Sequence, residues 1–224
     1  VFKHVFEKLS SFGTNIIPNL ENAWEDCFDP ILQKRIEELI HRIQFESIEK
    51  EFKTLIEQHG YRPQTLQLQV AYANFLTFKT NNPTPAIEIL KNCLELPLNE
   101  RGKAFIKLAL GDILVFDKRF NEALIYFSQI QKNLKNDVLG QNARFKVAQT
   151  SFYKGDFDWA LTQLKVLRSS TSQLIANDAM QLSLLISDNS LEDSTQTALK
   201  KYARADLLAY QKKTKDAISE LNGI

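Results

Sequence analysis

The 224 residues, 44% hydrophobic and 25% charged, have the composition of an ordinary globular protein with enough chain to bury a sizeable core. Lys and Arg number 28 against 27 Asp and Glu, and the net charge of +1 offers no long-range field to a phosphate backbone or an anionic lipid surface, so nucleic acid is not an expected partner. The two cysteines, Cys27 and Cys93, stand 66 positions apart in unlike contexts; they make neither a disulfide framework nor a zinc spacing and read as buried free thiols.

In chain order, Val1 to Leu9 (VFKHVFEKL) is interrupted by Lys3, His4, Glu7 and Lys8 and has no signal-peptide core, whereas Phe2, Val5, Phe6 and Leu9 fall at helical spacing. A helix is expected over residues 1–12, read as starting inside a longer protein. Gly13 to Cys27 (GTNIIPNLENAWEDC) is polar and broken by Pro18, a linker with room for one short helix; residues 1–29 together read as the remnant of an upstream repeat. Asp29-Pro30 as a start and His59-Gly60 as a stop bracket helical sequence over residues 30–59. All six prolines precede residue 98, and Pro83, Pro85 and Pro97 fall at helix boundaries.

The next stretches repeat. FDKRFNEALIYF (Phe116 to Phe127) aligns with YKGDFDWALTQL (Tyr153 to Leu164) at an offset of 37 residues, pairing Phe116 with Tyr153, Phe120 with Phe157, Ala123 with Ala160 and Phe127 with Leu164. KTNNPTPAIEIL places Ala86, Ile87 and Leu90 in the same positions, and QKKTKDAISEL places Ala217, Ile218 and Leu221 there. FESIEKEFKTL (Phe45 to Leu55) reads as a weaker copy. Each copy predicts a helical hairpin: polar residues reverse the chain, and a small residue then lets the second helix approach the first. Gly111 is expected at such a crossing, Gly155 at a chain reversal, and Asp156 as a helix cap whose carboxylate accepts backbone N–H groups. The 57 residues from Ala160 to Ala217 exceed one period by twenty and leave space for an extra helix near Thr171 to Ser187.

The order Leu110-Gly111, Leu114, Phe120, Ala123, Phe127 resembles the tetratricopeptide repeat (TPR) signature, although the period is longer than 34 residues and the first-helix tryptophan is absent. Over Leu96 to Ile224 the chain is similar to the C-terminal part of long uncharacterised TPR proteins of Bacteroidetes type, with Ser169 to Asn189 the most specific piece. The resemblance implies an all-α, right-handed superhelical solenoid of antiparallel helix pairs. Its units are expected at residues 30–62, 64–97, 101–136, 141–169 and 194–224, with the extra helix at 171–189, roughly six pairs by length. It also implies a periplasmic or cell-envelope location, and no established activity.

Catalytic signals are absent from the sequence. His4, His41 and His59 are scattered, and no G-x-S-x-G, P-loop or G-x-G-x-x-G occurs. Asp156 and Asp158 lack the twelve-residue ligand ladder of a calcium loop. The expectation is a protein that is not an enzyme, has no cofactor or metal, and binds a protein or peptide partner; the alternative is a structural or oligomerisation domain whose face is filled by its own chain or by a second copy. Projecting the TPR register onto the first helices brings Phe75, Phe78, Lys79, Asp112, Phe116, Asn142, Gln149, Phe152, Tyr153, Tyr202, Asp206 and Tyr210 to the inner surface, aromatic residues with a few polar groups that suit peptide capture. The other place for each aromatic is the packing between helices. The Lys/Asn clamp of chaperone-binding TPR proteins is replaced by Ala71 and Phe75, Leu108 and Asp112, Phe145 and Gln149, so capture of a C-terminal carboxylate is not expected.

Overall fold

A computed structural model describes residues 2–168, 170, 172–190 and 195–224, which contain twelve α-helices and no strand. Val1, Ser169, Thr171 and Ser194, each at the edge of a segment expected above, lie outside the described residues. The chain divides into two compact units, Val1–Gly60 and Tyr61–Ile224.

The first unit holds α1 (Phe2–Ser10), α2 (Ile17–Glu25) and α3 (Pro30–His59), with a 3-10 turn at Gly13–Ile16. Helix α3 starts where its sequence directs it to: the Asp29 carboxylate accepts from the Ile31 N–H at 2.9 Å, and Pro30 takes the first helical position, where no N–H is needed. Gly60, at φ +69°, ends it. The core of this unit is Leu20, Leu39 and Ile43, with Phe6, Leu9 and Ile36 half-buried around them. Beyond Ile43 no residue of α3 is buried.

Two expectations fail in this unit. The copy read in Phe45 to Leu55 is not a hairpin, and residues 30–59 form one continuous helix, because Gln44 to Gln58 contain no Gly, Pro, Asn or Asp to break it. Cys27 is not buried; it stands half-buried in the α2–α3 loop, where its thiol donates to the Asp29 carbonyl at 3.6 Å.

The second unit runs through α4 (Leu66–Phe78), α5 (Pro83–Leu94), α6 (Glu100–Phe116), α7 (Phe120–Asn133), α8 (Val138–Lys154), α9 (Phe157–Leu167), α10 (Gln173–Ser190), α11 (Thr197–Tyr210) and α12 (Thr214–Leu221). Each helix from α4 to α10 packs on the next, as do α11 and α12. One corner recurs at four of the connections. Asn81, Lys118, Gly155 and Lys212 all take positive φ (+55°, +61°, +81° and +62°), at spacings of 37, 37 and 57 residues. The N–H groups of Arg119, Asp156 and Lys213 then donate back to the carbonyls of Leu114, Ser151 and Leu208 at 2.8–2.9 Å, which satisfies helix-end acceptors in the manner of a Schellman turn. The first corner is one residue longer, from Asn82 back to Leu76.

The small residue after each corner does what its size suggests. Ala86, Ala123 and Ala160 are 0% exposed and Ala217 is 5% exposed. Gly111 is a close approach of α6 and α7: a Cβ there would overlap the Phe127 ring, which is itself fully buried. Asp156 is a correction. It stands at the N-cap of α9, but its carboxylate accepts no capping bond and instead meets Lys154 Nζ at 3.1 Å; its backbone, at φ -84° and ψ 65°, is outside the extended conformation usual for a side-chain cap. Side-chain caps occur at Asn99 and Asp137, which accept from Gly102 and Leu139.

Candidate functional site

The last turns of α4, α6, α8 and α11 carry an aromatic residue each, and the four rings meet on one face of the second unit. Phe78 and Phe116 stand edge to face with centroids 5.2 Å apart, Phe78 and Tyr210 lie 5.7 Å apart, and Tyr153 and Tyr210 lie 6.4 Å apart. Phe116, Tyr153 and Tyr210 occupy one repeat position, and Phe78 joins them because the first corner has the extra residue. Such pairs add about 0.5–1.5 kcal/mol each beyond the area they bury.

Polar bonds seat α11 against the same helices. The Tyr210 hydroxyl donates to the Asp112 carbonyl at 3.1 Å, and the Gln211 side-chain amide donates to the Phe116 carbonyl at 2.6 Å, an acceptor freed by the end of α6. Tyr153 donates from its hydroxyl to the Asp206 carboxylate. Asp112 meets Lys146 Nζ at 2.9 Å across the α6–α8 contact. Burial raises the Asp112 carboxyl above the ordinary aspartate range, and Lys146 opposes that rise. Burial also raises Asp206, against the bond from Tyr153. The Tyr153 and Tyr210 hydroxyls are pushed well above the usual phenol range, by burial first and by the neighbouring aspartates second.

Beside this closed cluster lies an open pocket of about 410 Å³. Helix α8 supplies Phe145, Gln149 and the edge of Phe152; α11 supplies Tyr202 and Asp206; α10 closes the third side with Asp178, Gln181, Leu182 and Leu185. No α10 residue was among the candidates, because α10 belongs to no repeat copy. The sequence signal available was the excess of twenty residues between Ala160 and Ala217.

The twelve candidates therefore separate. Phe75, Phe116 and Phe152 are buried at 9%, 5% and 1% exposure and belong to the packing between helices. Half-buried Phe78, Tyr153 and Tyr210 meet buried Phe116 in the ring cluster, with Asp112 beneath it. Gln149, Tyr202 and Asp206 line the open pocket. Lys79 is exposed at the end of α4, and Asn142 stands half-buried near the start of α8, outside both groups. Among the described residues no three His, Cys, Asp or Glu side chains are grouped to hold a metal ion, and no helix is long and apolar enough to cross a membrane. Cys93 is fully buried, and burial pushes its thiol up to about 11, which leaves it protonated and unreactive at neutral pH. Comparisons with protein-family models, with curated proteins and with solved structures return no match.

Proposed function

We propose that the chain is a non-catalytic helical-repeat scaffold, a TPR-like right-handed stack of hairpins, that works by protein–protein contact. One observation carries this reading: a corner with positive φ, a buried small residue and a terminal ring return together through the second unit, and the rings gather on one face. Tandem hairpins of this kind offer an extended face and no enclosed reaction chamber. Part of that face is occupied by α11, and the pocket between α8, α10 and α11 remains open to a partner. The bacterial cell envelope is the setting that the family resemblance implies.

The test uses Gln149→Ala combined with Tyr202→Ala, which strips two pocket walls at side chains that are not themselves buried and removes one ring contact to Phe152. Proteins retained by the wild-type chain from an extract of its source cells are expected to fall away with this variant while its helical circular dichroism is unchanged. Retention of the same proteins at the same level would refute the assignment to this face. The second reading, a structural or oligomerisation domain without a peptide groove, is favoured by the bonds of Tyr210 and Gln211 that fill the face from within. Light scattering across a concentration series, read with the capture result, separates the two: a mass that climbs to a dimer supports the second reading, and a constant monomer mass together with a pocket that binds a partner removes it.

A further inference from the structure

The open pocket has a charge pattern that narrows its occupant. Two of its walls each carry a carboxylate, Asp178 on α10 and Asp206 on α11, and no Lys, Arg or His lines it. The basic side chains of the three helices bond to other groups. Helix α10 contains none. On α8, Arg144 reaches Gln163 on α9, Lys146 pairs with Asp112, and Lys154 pairs with Asp156. On α11, Lys200 donates to the Thr195 carbonyl, Lys201 to the Gly223 carbonyl, and Arg204 pairs with Glu220 on α12. Among the described residues no basic side chain thus pairs with Asp178 or Asp206, and Asp206 accepts only from the neutral Tyr153 hydroxyl.

Around those carboxylates the walls are flat and apolar: Phe145 and Tyr202, with Leu182 and Leu185 opposite. The amides of Gln149 and Gln181 add acceptor oxygens. A volume of about 410 Å³ lies at the lower end of the roughly 300–1,000 Å³ range of ligand pockets and suits one long side chain better than a whole helix. A planar cation fits this lining more closely than a compact ammonium, because a guanidinium stacks on an aromatic face while its edge N–H groups bond to carboxylate and amide oxygens. We infer that the pocket between α8, α10 and α11 receives the guanidinium side chain of an arginine presented by a partner protein. This rests on the scaffold reading and deepens it by giving the partner's contact residue.

The probe is N-acetyl-arginine amide, titrated into the isotope-labelled full chain and followed by NMR, with N-acetyl-citrulline amide as the uncharged shape match. The expected result is saturable shifts confined to Gln149, Tyr202 and Leu182 with the arginine compound, and binding at least about tenfold weaker with the citrulline compound. Asp178→Asn and Asp206→Asn should each weaken the arginine response about tenfold, whereas Asp188→Asn, on α10 but outside the pocket lining, should leave it unchanged. Equal shifts with both compounds, or an arginine response indifferent to Asp178→Asn and Asp206→Asn, overturn the inference. Partners that are captured as well by Asp178→Asn as by wild type, yet lost with Gln149→Ala plus Tyr202→Ala, sink the arginine assignment and leave the scaffold reading standing.

Discussion

The two units spend their apolar residues differently. In the second, helices shorter than twenty residues pack against neighbours on successive sides, and large side chains such as Phe127, Ile106, Leu110 and Leu164 are sealed from water. In the first, one 30-residue helix of about 45 Å carries half of the unit and buries only Leu39 and Ile43. Length of helix is therefore a poor guide to stability here; the number of helices each one touches decides it, because tertiary packing of an apolar face supplies most helical stability.

The widest gap between the units is expected in core truncations. Phe127→Ala removes the ring that fills the space beside Gly111 and should cost about 3–5 kcal/mol in urea denaturation. Ile43→Ala should cost about 2 kcal/mol, near the bottom of the range for such changes, because its three-residue cluster can collapse around the loss. If Ile43→Ala proves as damaging as Phe127→Ala, the contrast is wrong. Hydrogen exchange should rank the units the same way, with amides of α3 beyond Ile43 exchanging before those of α6 and α8.

Gly140→Ala is the next largest. Alanine is ordinarily the better helix former, yet a Cβ at this position in α8 would overlap the Leu134 carbonyl oxygen, and a loss of about 1–3 kcal/mol is expected by the same denaturation. A neutral or stabilising result would mean that the α7–α8 connection gives way more easily than the packing around it suggests. Smaller still is Tyr210→Phe, which keeps the ring and deletes its bond to the Asp112 carbonyl, for about 1 kcal/mol.

The corners sharpen the comparison further, since only the second unit has them as a series. Lys118→Gly and Lys212→Gly should each gain a few tenths to about 1 kcal/mol, and Gly155→Ala should lose about 1–2 kcal/mol, all read from thermal melts. The smallest effect concerns pH. Asp206 has its folded-state pKa raised by burial, so its contribution to stability is present below the unfolded value near 4 and is lost as pH rises through the raised folded value. Asp206→Asn keeps a partner for Tyr153 and should flatten that part of the profile of melting temperature against pH. An unchanged profile would mean that water already screens the carboxylate.

Much of the second unit was legible because its signals are local. Ala86, Ala123, Ala160 and Ala217 mark close approaches that depend on size alone, and a corner fits within five or six residues. The pattern over Phe45 to Leu55 misled because apolar spacing persists through an unbroken helix as readily as across a hairpin; the missing breaker was the better guide. Asp156 misled for a related reason, since a favoured cap residue says nothing about the backbone angles that the preceding turn imposes on it, here φ -84° and ψ 65°. Phe75 and Phe152 share the first-helix pattern with Phe78 and Tyr153, and burial alone separates them. The seating of α11 and the wall made by α10 join residues far apart in the chain, which no local periodicity records.

The bond from Tyr210 to Asp112 spans 98 residues and that from Gln211 to Phe116 spans 95, whereas each hairpin joins residues close in sequence. Closing the longer loop carries the larger entropic cost and comes before its reward, so the last helical pair is expected to dock after the hairpins have formed. In kinetic terms, Tyr210→Phe should hasten unfolding and leave the refolding rate nearly unchanged, while Phe127→Ala should slow refolding. The rings of α4, α6 and α8 then stay uncovered until α11 has been made, which gives the growing chain an interval in which that face is exposed to whatever else is present.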